Sequence, residues 1–176
     1  MGILRRIFGS SNTSPPPLPS KTALKPAPKT KNTFITRGNK EIKADEVFLA
    51  WGSGDLKRML AATNYSTNPI DRHFLLQEIV KLTYKNRNSP EMRAQCREYA
   101  ALHIREFSSI RPHLEKEMDG VLPRVSTFQN LATLLTEDGS YTDAIAVCRR
   151  ALDLGLDDGT KSGYEGRIAR IERKKG

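Results

Sequence analysis

Residues 123–156 constrain the fold of this chain more than any other stretch, because two runs of apolar residues there flank a strong turn signal. The first run places three large residues at i, i+3 and i+7 on one helix face: Phe128, Leu131 and Leu135. The second run repeats that spacing with three small residues: Ala144, Cys148 and Ala151. Small residues let two helices approach closely while large ones fill the space beside them. The stretch therefore predicts a tightly packed helical hairpin.

The ends of these two helices carry matching signals. Gly139 can adopt the left-handed backbone conformation that ends a helix. Ser140 or Thr142 can cap the helix that follows. Pro123 lies just before the first helix, where the absence of its N–H group has little effect.

Together these residues resemble one tetratricopeptide repeat. The family pattern has an aromatic residue, a leucine and a small residue, then a Gly–x–aromatic turn and two alanines. The matching positions here are Phe128, Leu131, Ala132, Gly139, Tyr141, Ala144 and Ala151. Leu135 replaces a common Tyr, and Leu156 stands where the family often has Pro. The resemblance covers one repeat of about 34 residues and implies an all-α, right-handed stack of helical hairpins.

The resemblance also implies a function. Tetratricopeptide proteins are mostly adaptors that hold a peptide or helix in a groove lined by the first helix of each repeat. Carried onto this chain, the residues that line such a groove are Ser126, Gln129, Thr133, Thr136 and Glu137. The Lys/Asn clamp that some members use for a C-terminal carboxylate has no evident counterpart. The expected partner is another protein, of unknown identity, and we expect no cofactor and no small-molecule substrate.

Further helices are expected before this hairpin, so that residues 44–176 form one helical domain. Short helices are expected over residues 44–51 and 56–62, and a longer helix is expected to start at an Asp71 N-cap. A single repeat cannot bury its own faces. Residues 71–107 are therefore expected to pack against the repeat as a second hairpin, at best a degenerate repeat.

Two prolines mark helix boundaries in the next part of the chain. Ser89 and Pro90 form a helix start signal, with Pro at the first helical position. Pro112 is expected to interrupt that helix, with one or two further turns after it.

The last predicted helix has one apolar face and one basic face. The apolar face carries Tyr164, Ile168 and Ile171, and the basic face carries Arg167, Arg170, Arg173 and Lys174. This pattern is typical of the helix that caps a repeat stack. A phosphate-binding recognition helix is the alternative, but Glu165 and Glu172 reduce its positive charge.

The charge of the chain is concentrated at its beginning. Residues 1–43 carry a net charge of +8, and the remaining residues carry only +1. A nearly neutral body disfavours nucleic-acid binding by the folded domain. Residues 10–32 are rich in Pro, Ser, Thr and Lys and predict a disordered basic tether. The pattern over residues 33–43 fits no single element, and residues 1–43 as a whole are expected to form a disordered basic leader.

Residues 1–9 form a short amphipathic segment within this leader. Apolar and basic residues alternate there: Ile3, Leu4, Arg5, Arg6, Ile7 and Phe8. Such a segment can lie on an anionic membrane surface or in a groove of a partner. The competing hypothesis is therefore peripheral membrane or nucleic-acid association through the leader. Arg6 breaks the N-myristoylation pattern.

Candidate catalytic groups are few. Cys96 and His103 are seven residues apart on one predicted helix, about 10 Å along its axis, which is too far for a nucleophile–base pair. Cys96 and Cys148 lie on apolar stripes and lack metal-site spacing. We therefore expect a non-enzymatic protein without a metal. Two unpaired cysteines and no apolar run of membrane-spanning length point to the cytoplasm.

Overall fold

The structure is a computed structural model, and it describes residues 24–37 and 40–176. Seven helices dominate this part of the chain, which confirms the expected helical class. The helices are α1 Glu46–Ser53, α2 Leu56–Ala62, α3 Pro69–Lys85, α4 Pro90–Glu117, α5 Ser126–Glu137, α6 Tyr141–Asp153 and α7 Gly163–Lys175. The strands are β1 Lys25–Pro26, β2 Lys29–Arg37, β3 Lys40–Asp45 and β4 Tyr65–Ser66.

The strands correct the prediction for the end of the leader. Strand β2 pairs antiparallel with β3, and β1 pairs parallel with β4. The expectation of a disordered leader over residues 1–43 is therefore wrong for residues 25–26, 29–37 and 40–43, which lie in strands. Residues 29–37 contain Thr30, Thr33, Phe34, Ile35 and Thr36, which favour an extended backbone, although Lys and Pro dominate the residues before them.

A buried carboxylate anchors the β2–β3 hairpin to the helices. Arg37, the last residue of β2, donates to Asp71 Oδ1 over 2.7 Å and to Asn68 Oδ1 over 2.9 Å. Trp51 Nε1 donates to the same Asp71 oxygen over 3.2 Å. Asp71 is only 2 % exposed, so these donors compensate for burying its charge.

This network also explains a shift in the start of α3. The helix begins at Pro69 rather than after Asp71, and Asn68 is its N-cap. The Asn68 side chain accepts hydrogen bonds from the backbone N–H groups of Ile70 and Asp71. Pro at the first helical position suits this arrangement. The predicted Asp71 cap is therefore wrong by one turn, and Asp71 is a buried first-turn acid instead.

Helix α4 runs for 28 residues straight through Pro112. The predicted interruption is therefore wrong. Pro112 is exposed, so water can hydrate the carbonyl group that its missing N–H leaves unpaired. Ile110 and Leu114, on either side of it, are buried and hold this part of the helix on the core.

Helices α5 and α6 pack against each other through the residues that the spacing singled out. Those buried here are Phe128, Leu131, Ala132, Leu135, Ala144, Cys148 and Ala151. Gly139, between the two helices, has φ +72°, the left-handed conformation expected of it. Ser140 is the residue before α6, but its side chain makes no capping hydrogen bond.

The core extends from this pair of helices to their neighbours. Phe128 meets Phe107 of α4 edge to face, with ring centroids 5.7 Å apart. On the other side, α7 packs on α6 and buries Tyr164 and Ile171. A smaller cluster under α1, α2 and α3 contains Val47, Ala50, Met59, Ala62, Leu75 and Ile79.

Candidate protein-binding site

Thr133 and Thr136, two of the predicted groove residues, face α7. Thr133 Oγ1 accepts a hydrogen bond from Arg167 over 3.0 Å, and both threonines donate to carbonyl groups one turn back in α5. With Arg167, Arg170 and Lys174 they line a small pocket of about 150 Å³ between α5 and α7. Helix α7 therefore covers part of the α5 surface on which the predicted groove would lie.

Glu137, the third predicted groove residue, takes part in an ionic network. It pairs with Arg87 over 2.9 Å and with Arg93 over 3.1 Å. The adjacent Asp138 pairs with Arg93 and with Arg97. We call these five residues the arginine seam, because they join the end of α5 to α4 and to the turn that precedes it. Hydrogen bonding from Arg87 lowers the pKa of the Glu137 carboxyl, so it is ionised at neutral pH.

Ser126 and Gln129 also have partners within the chain. The Ser126 backbone N–H donates to Gln77 Oε1 over 3.1 Å, and Gln129 Oε1 accepts from Arg124 over 3.0 Å. Of the five predicted residues, Thr133 and Thr136 line the same small pocket. The assignment of these five residues to partner binding stays a prediction.

A larger cleft, of about 950 Å³, lies between α4, α6 and the end of α7. We call it the basic cleft. Its apolar floor consists of Ile104, Ile145 and Ala146. Its charged rim consists of Arg105, Arg149, Arg150, Asp153, Glu172 and Lys175. Four cations against two acids leave this rim positive, although the folded domain as a whole is nearly neutral.

Three rim cations differ from most arginines in the molecule. Within residues 24–37 and 40–176, the side chains of Arg105, Arg149 and Lys175 make no hydrogen bond or ion pair. All three are exposed. Arg150 donates to Ser108 Oγ over 2.7 Å. Arginines that do pair with an acid are Arg37, Arg58, Arg72, Arg87, Arg93, Arg97, Arg111 and Arg167.

Sequence reasoning missed the basic cleft because its residues come from three distant helices. Arg105 and Lys175 are far apart in the chain, and only packing brings them to one rim. One local signal was visible: Arg149 and Arg150 follow the buried Cys148 on the predicted second helix of the repeat. A basic pair beside an apolar stripe indicates where the exposed face of a helix begins. It does not reveal which other helices face that pair in the folded protein.

The molecule also contains a buried chain of polar side chains. His73 Nδ1 lies 3.0 Å from His103 Nε2, and His103 Nδ1 lies 2.7 Å from Thr127 Oγ1. Both rings are fully buried. Burial lowers the pKa of His73 to about 4 and that of His103 well below its usual range, so both rings are neutral at pH 7. These three side chains link α3, α4 and α5 inside the core, away from the basic cleft.

Cys96 does not join these histidines. Its Sγ lies 3.9 Å from the carbonyl oxygen of Val80, and burial raises the pKa of its thiol to about 11. Cys148 is buried as well, with a pKa of about 12. Among the described residues, no group of three or more His, Cys, Asp or Glu side chains could hold a metal ion.

The alternative site in the leader lies outside the described residues. It consists of Ile3, Leu4, Arg5, Arg6, Ile7 and Phe8. Of the helices that the structure does describe, none has the length and apolar character needed to cross a membrane. No family model, curated protein or solved structure matches this chain.

Proposed function

We propose that this protein is a non-catalytic scaffold or adaptor whose helical domain, with tetratricopeptide-like packing, binds a helix or peptide segment of another protein. The observation that carries the proposal is the basic cleft, an open concavity with an apolar floor and an unpaired charged rim. Protein-binding grooves combine these two features, since the floor receives apolar anchors and the rim provides polar contacts.

The positions of the reactive groups support binding rather than catalysis. The histidines with the most perturbed pKa values, His73 and His103, are sealed in the core. The two thiols are buried and protonated at neutral pH. None of these side chains lines the basic cleft. Perturbed groups that face no cleft stabilise structure rather than act on a substrate.

We place binding at the basic cleft rather than at the five predicted residues of α5. Thr133 is held by Arg167, and Glu137 is held by Arg87 and Arg93. A partner on α5 would have to replace these bonds, whereas a partner in the basic cleft would not. We also propose a cytoplasmic location, which the two unpaired cysteines support.

Site-specific photocrosslinking in cells tests this proposal. A crosslinking amino acid at Thr142, on the lining of the basic cleft, is expected to capture a protein that the same group at Lys57 of α2 does not. The captured protein, once purified, must bind the full chain directly. Absence of any Thr142-specific partner would refute the proposal.

A matched pair of variants locates the binding. Ala146→Trp fills the floor of the basic cleft, while Ala94→Trp adds the same ring at an exposed position of α4 outside it. We expect the first variant to weaken binding of the captured partner by about tenfold or more and the second to leave it unchanged. Equal effects of both variants would place the partner elsewhere.

A further inference from the structure

We propose that the basic cleft selects an acidic amphipathic segment, in which apolar side chains on one face are flanked by Asp or Glu. This inference rests on the proposed function, because it names the chemistry of the partner that the same cleft takes. Three features of the cleft carry it: its charge, its floor and the chemical character of its lining.

Charge complementarity is the first argument. Arg105 on α4 and Arg149 on α6 stand on different walls of the basic cleft, and Lys175 stands at its α7 end. None of the three forms an ion pair with an acid in the described part of the chain. A carboxylate arriving from a partner would form charge-assisted hydrogen bonds without first breaking an existing ion pair. Cations arranged on several sides of a groove also guide an acidic ligand toward it.

The apolar floor is the second argument. Ile104 and Ile145, which are 2 % and 8 % exposed, and the half-buried Ala146 supply the apolar surface at the bottom of the basic cleft. A purely polar acidic chain would not cover the apolar surface that these residues still expose. A segment with apolar residues at i and i+3 or i+4 presents them on one face, which can seat on the floor while its acids reach the rim.

The lining also argues against nucleic acid as the ligand. No Phe, Trp or Tyr lines the basic cleft, so unpaired bases would find no ring on which to stack. Asp153 and Glu172 interrupt the positive rim. A phosphate backbone carries a charge at every nucleotide and would meet these acids, whereas a peptide can place its few carboxylates beside the cations only.

The amphipathic segment of this chain itself is a poor occupant. Residues 1–9 have suitable apolar residues, but their charged residues are Arg5 and Arg6. These would face Arg105 and Arg149 across the rim, and like charges at short distance repel. Charge therefore favours a segment from another protein over the leader.

Binding of synthetic peptides to the full chain tests the inference. The probe is a fluorescent, helix-forming peptide of about 16 residues with Leu on one face and Glu elsewhere, and its counterpart has Lys in place of every Glu. Fluorescence anisotropy is expected to show at least about tenfold tighter binding of the acidic peptide, and weakening of that binding by added salt. Equal affinity for both peptides would overturn the inference.

Charge-reversal variants show whether the basic cleft is the site. The double variant Arg105→Glu with Arg149→Glu is expected to weaken binding of the acidic peptide by about tenfold or more. Its control is Lys57→Glu with Lys116→Glu, which changes the net charge equally at exposed positions outside the cleft. All four positions are exposed, so circular dichroism should show the same helix content in both variants. Equal weakening by both would overturn the inference.

Two outcomes separate this inference from the proposed function. If Thr142 captures a partner but the acidic peptide is not preferred, the adaptor proposal stands and the acidic specificity is wrong. If a single-stranded oligonucleotide displaces the acidic peptide at lower concentration than unlabelled peptide does, nucleic acid is the better ligand and the inference is wrong.

Discussion

The arginine seam and the basic cleft are built from the same kinds of side chain but are used differently. In the seam, Arg87, Arg93 and Arg97 converge on two acids at the end of α5. In the basic cleft, Arg105 and Arg149 surround an apolar floor and have no acid bound to them. The arginines of the seam form ion pairs because the end of α5 supplies two carboxylates within their reach. The cations of the basic cleft that lack such a pair remain available to a partner.

The comparison also separates stability from binding. Partly exposed ion pairs each contribute little, but a network in which two acids share three arginines fixes the register between neighbouring helices. Arg105, Arg149 and Lys175 of the basic cleft contribute no such connection, and repulsion between these cations opposes folding slightly. Substitutions in the seam should therefore change stability, and substitutions in the basic cleft should change binding.

Acid pH is expected to have the largest effect on stability. This effect comes from the buried histidines rather than from the arginine seam or the basic cleft. His73 is neutral in the folded protein, with a pKa of about 4, but binds a proton near pH 6.5 when unfolded. The unfolded state therefore takes up more protons as the pH falls from 6.5 to about 4. The free energy of unfolding should fall by about 3 kcal/mol from His73 over this range.

Urea unfolding at several pH values measures this effect. The pKa of His103 is lowered too, so both histidines should reduce the stability of the wild-type protein as the pH falls over this range. His73→Asn keeps a hydrogen-bonding group beside His103 but cannot titrate, and it should reduce the pH slope of stability by about one proton. An unchanged slope would show that the acid response comes from carboxylates, such as those of the seam.

Removal of the seam carboxylates is expected to have the next largest effect on stability. Glu137→Ala with Asp138→Ala leaves three partly buried arginines without their acids and should lower stability by about 1 to 2 kcal/mol. The control is Glu41→Ala with Glu98→Ala, which removes two exposed acids outside the seam. Thermal unfolding distinguishes the two variants. Equal melting temperatures would mean that the seam does not hold the end of α5 against α4 and the turn before it.

Neutralising the basic cleft is expected to have the smallest effect on folding. Arg105→Gln with Arg149→Gln removes two unpaired charges and should change the free energy of unfolding by no more than about 0.5 kcal/mol. The same variant should lose most of its affinity for the acidic peptide. A large loss of stability would indicate that these arginines support the fold, and the distinction between seam and cleft would disappear.

Local patterns in the sequence predicted the helices around residues 123–156 well. The spacing of Phe128 and Leu131 identified a buried face, and Gly139 identified the turn. Both signals act over one or two helical turns and need no knowledge of distant residues. The start of α3 was misplaced because Asn68 and Asp71 are both good caps, and the contact of Asp71 with Arg37 is visible only in three dimensions.

Distant contacts explain what the sequence did not predict. Pro112 is tolerated because packing of Ile110 and Leu114 outweighs its local effect. The pairing of His73 with His103 depends on how α3 and α4 align. The basic cleft needs three helices to assemble, so no spacing along the chain could have revealed it.

An NMR titration of the labelled full chain with the acidic peptide tests the central claim most directly. We predict that amide shift changes cluster around the basic cleft, in residues 104–105, 142–153 and 172–176, and are absent from the seam residues Arg87 and Glu137. Changes that centre on the seam, or on the α5 residues Thr133 and Thr136, would contradict the assignment of the basic cleft as the binding site.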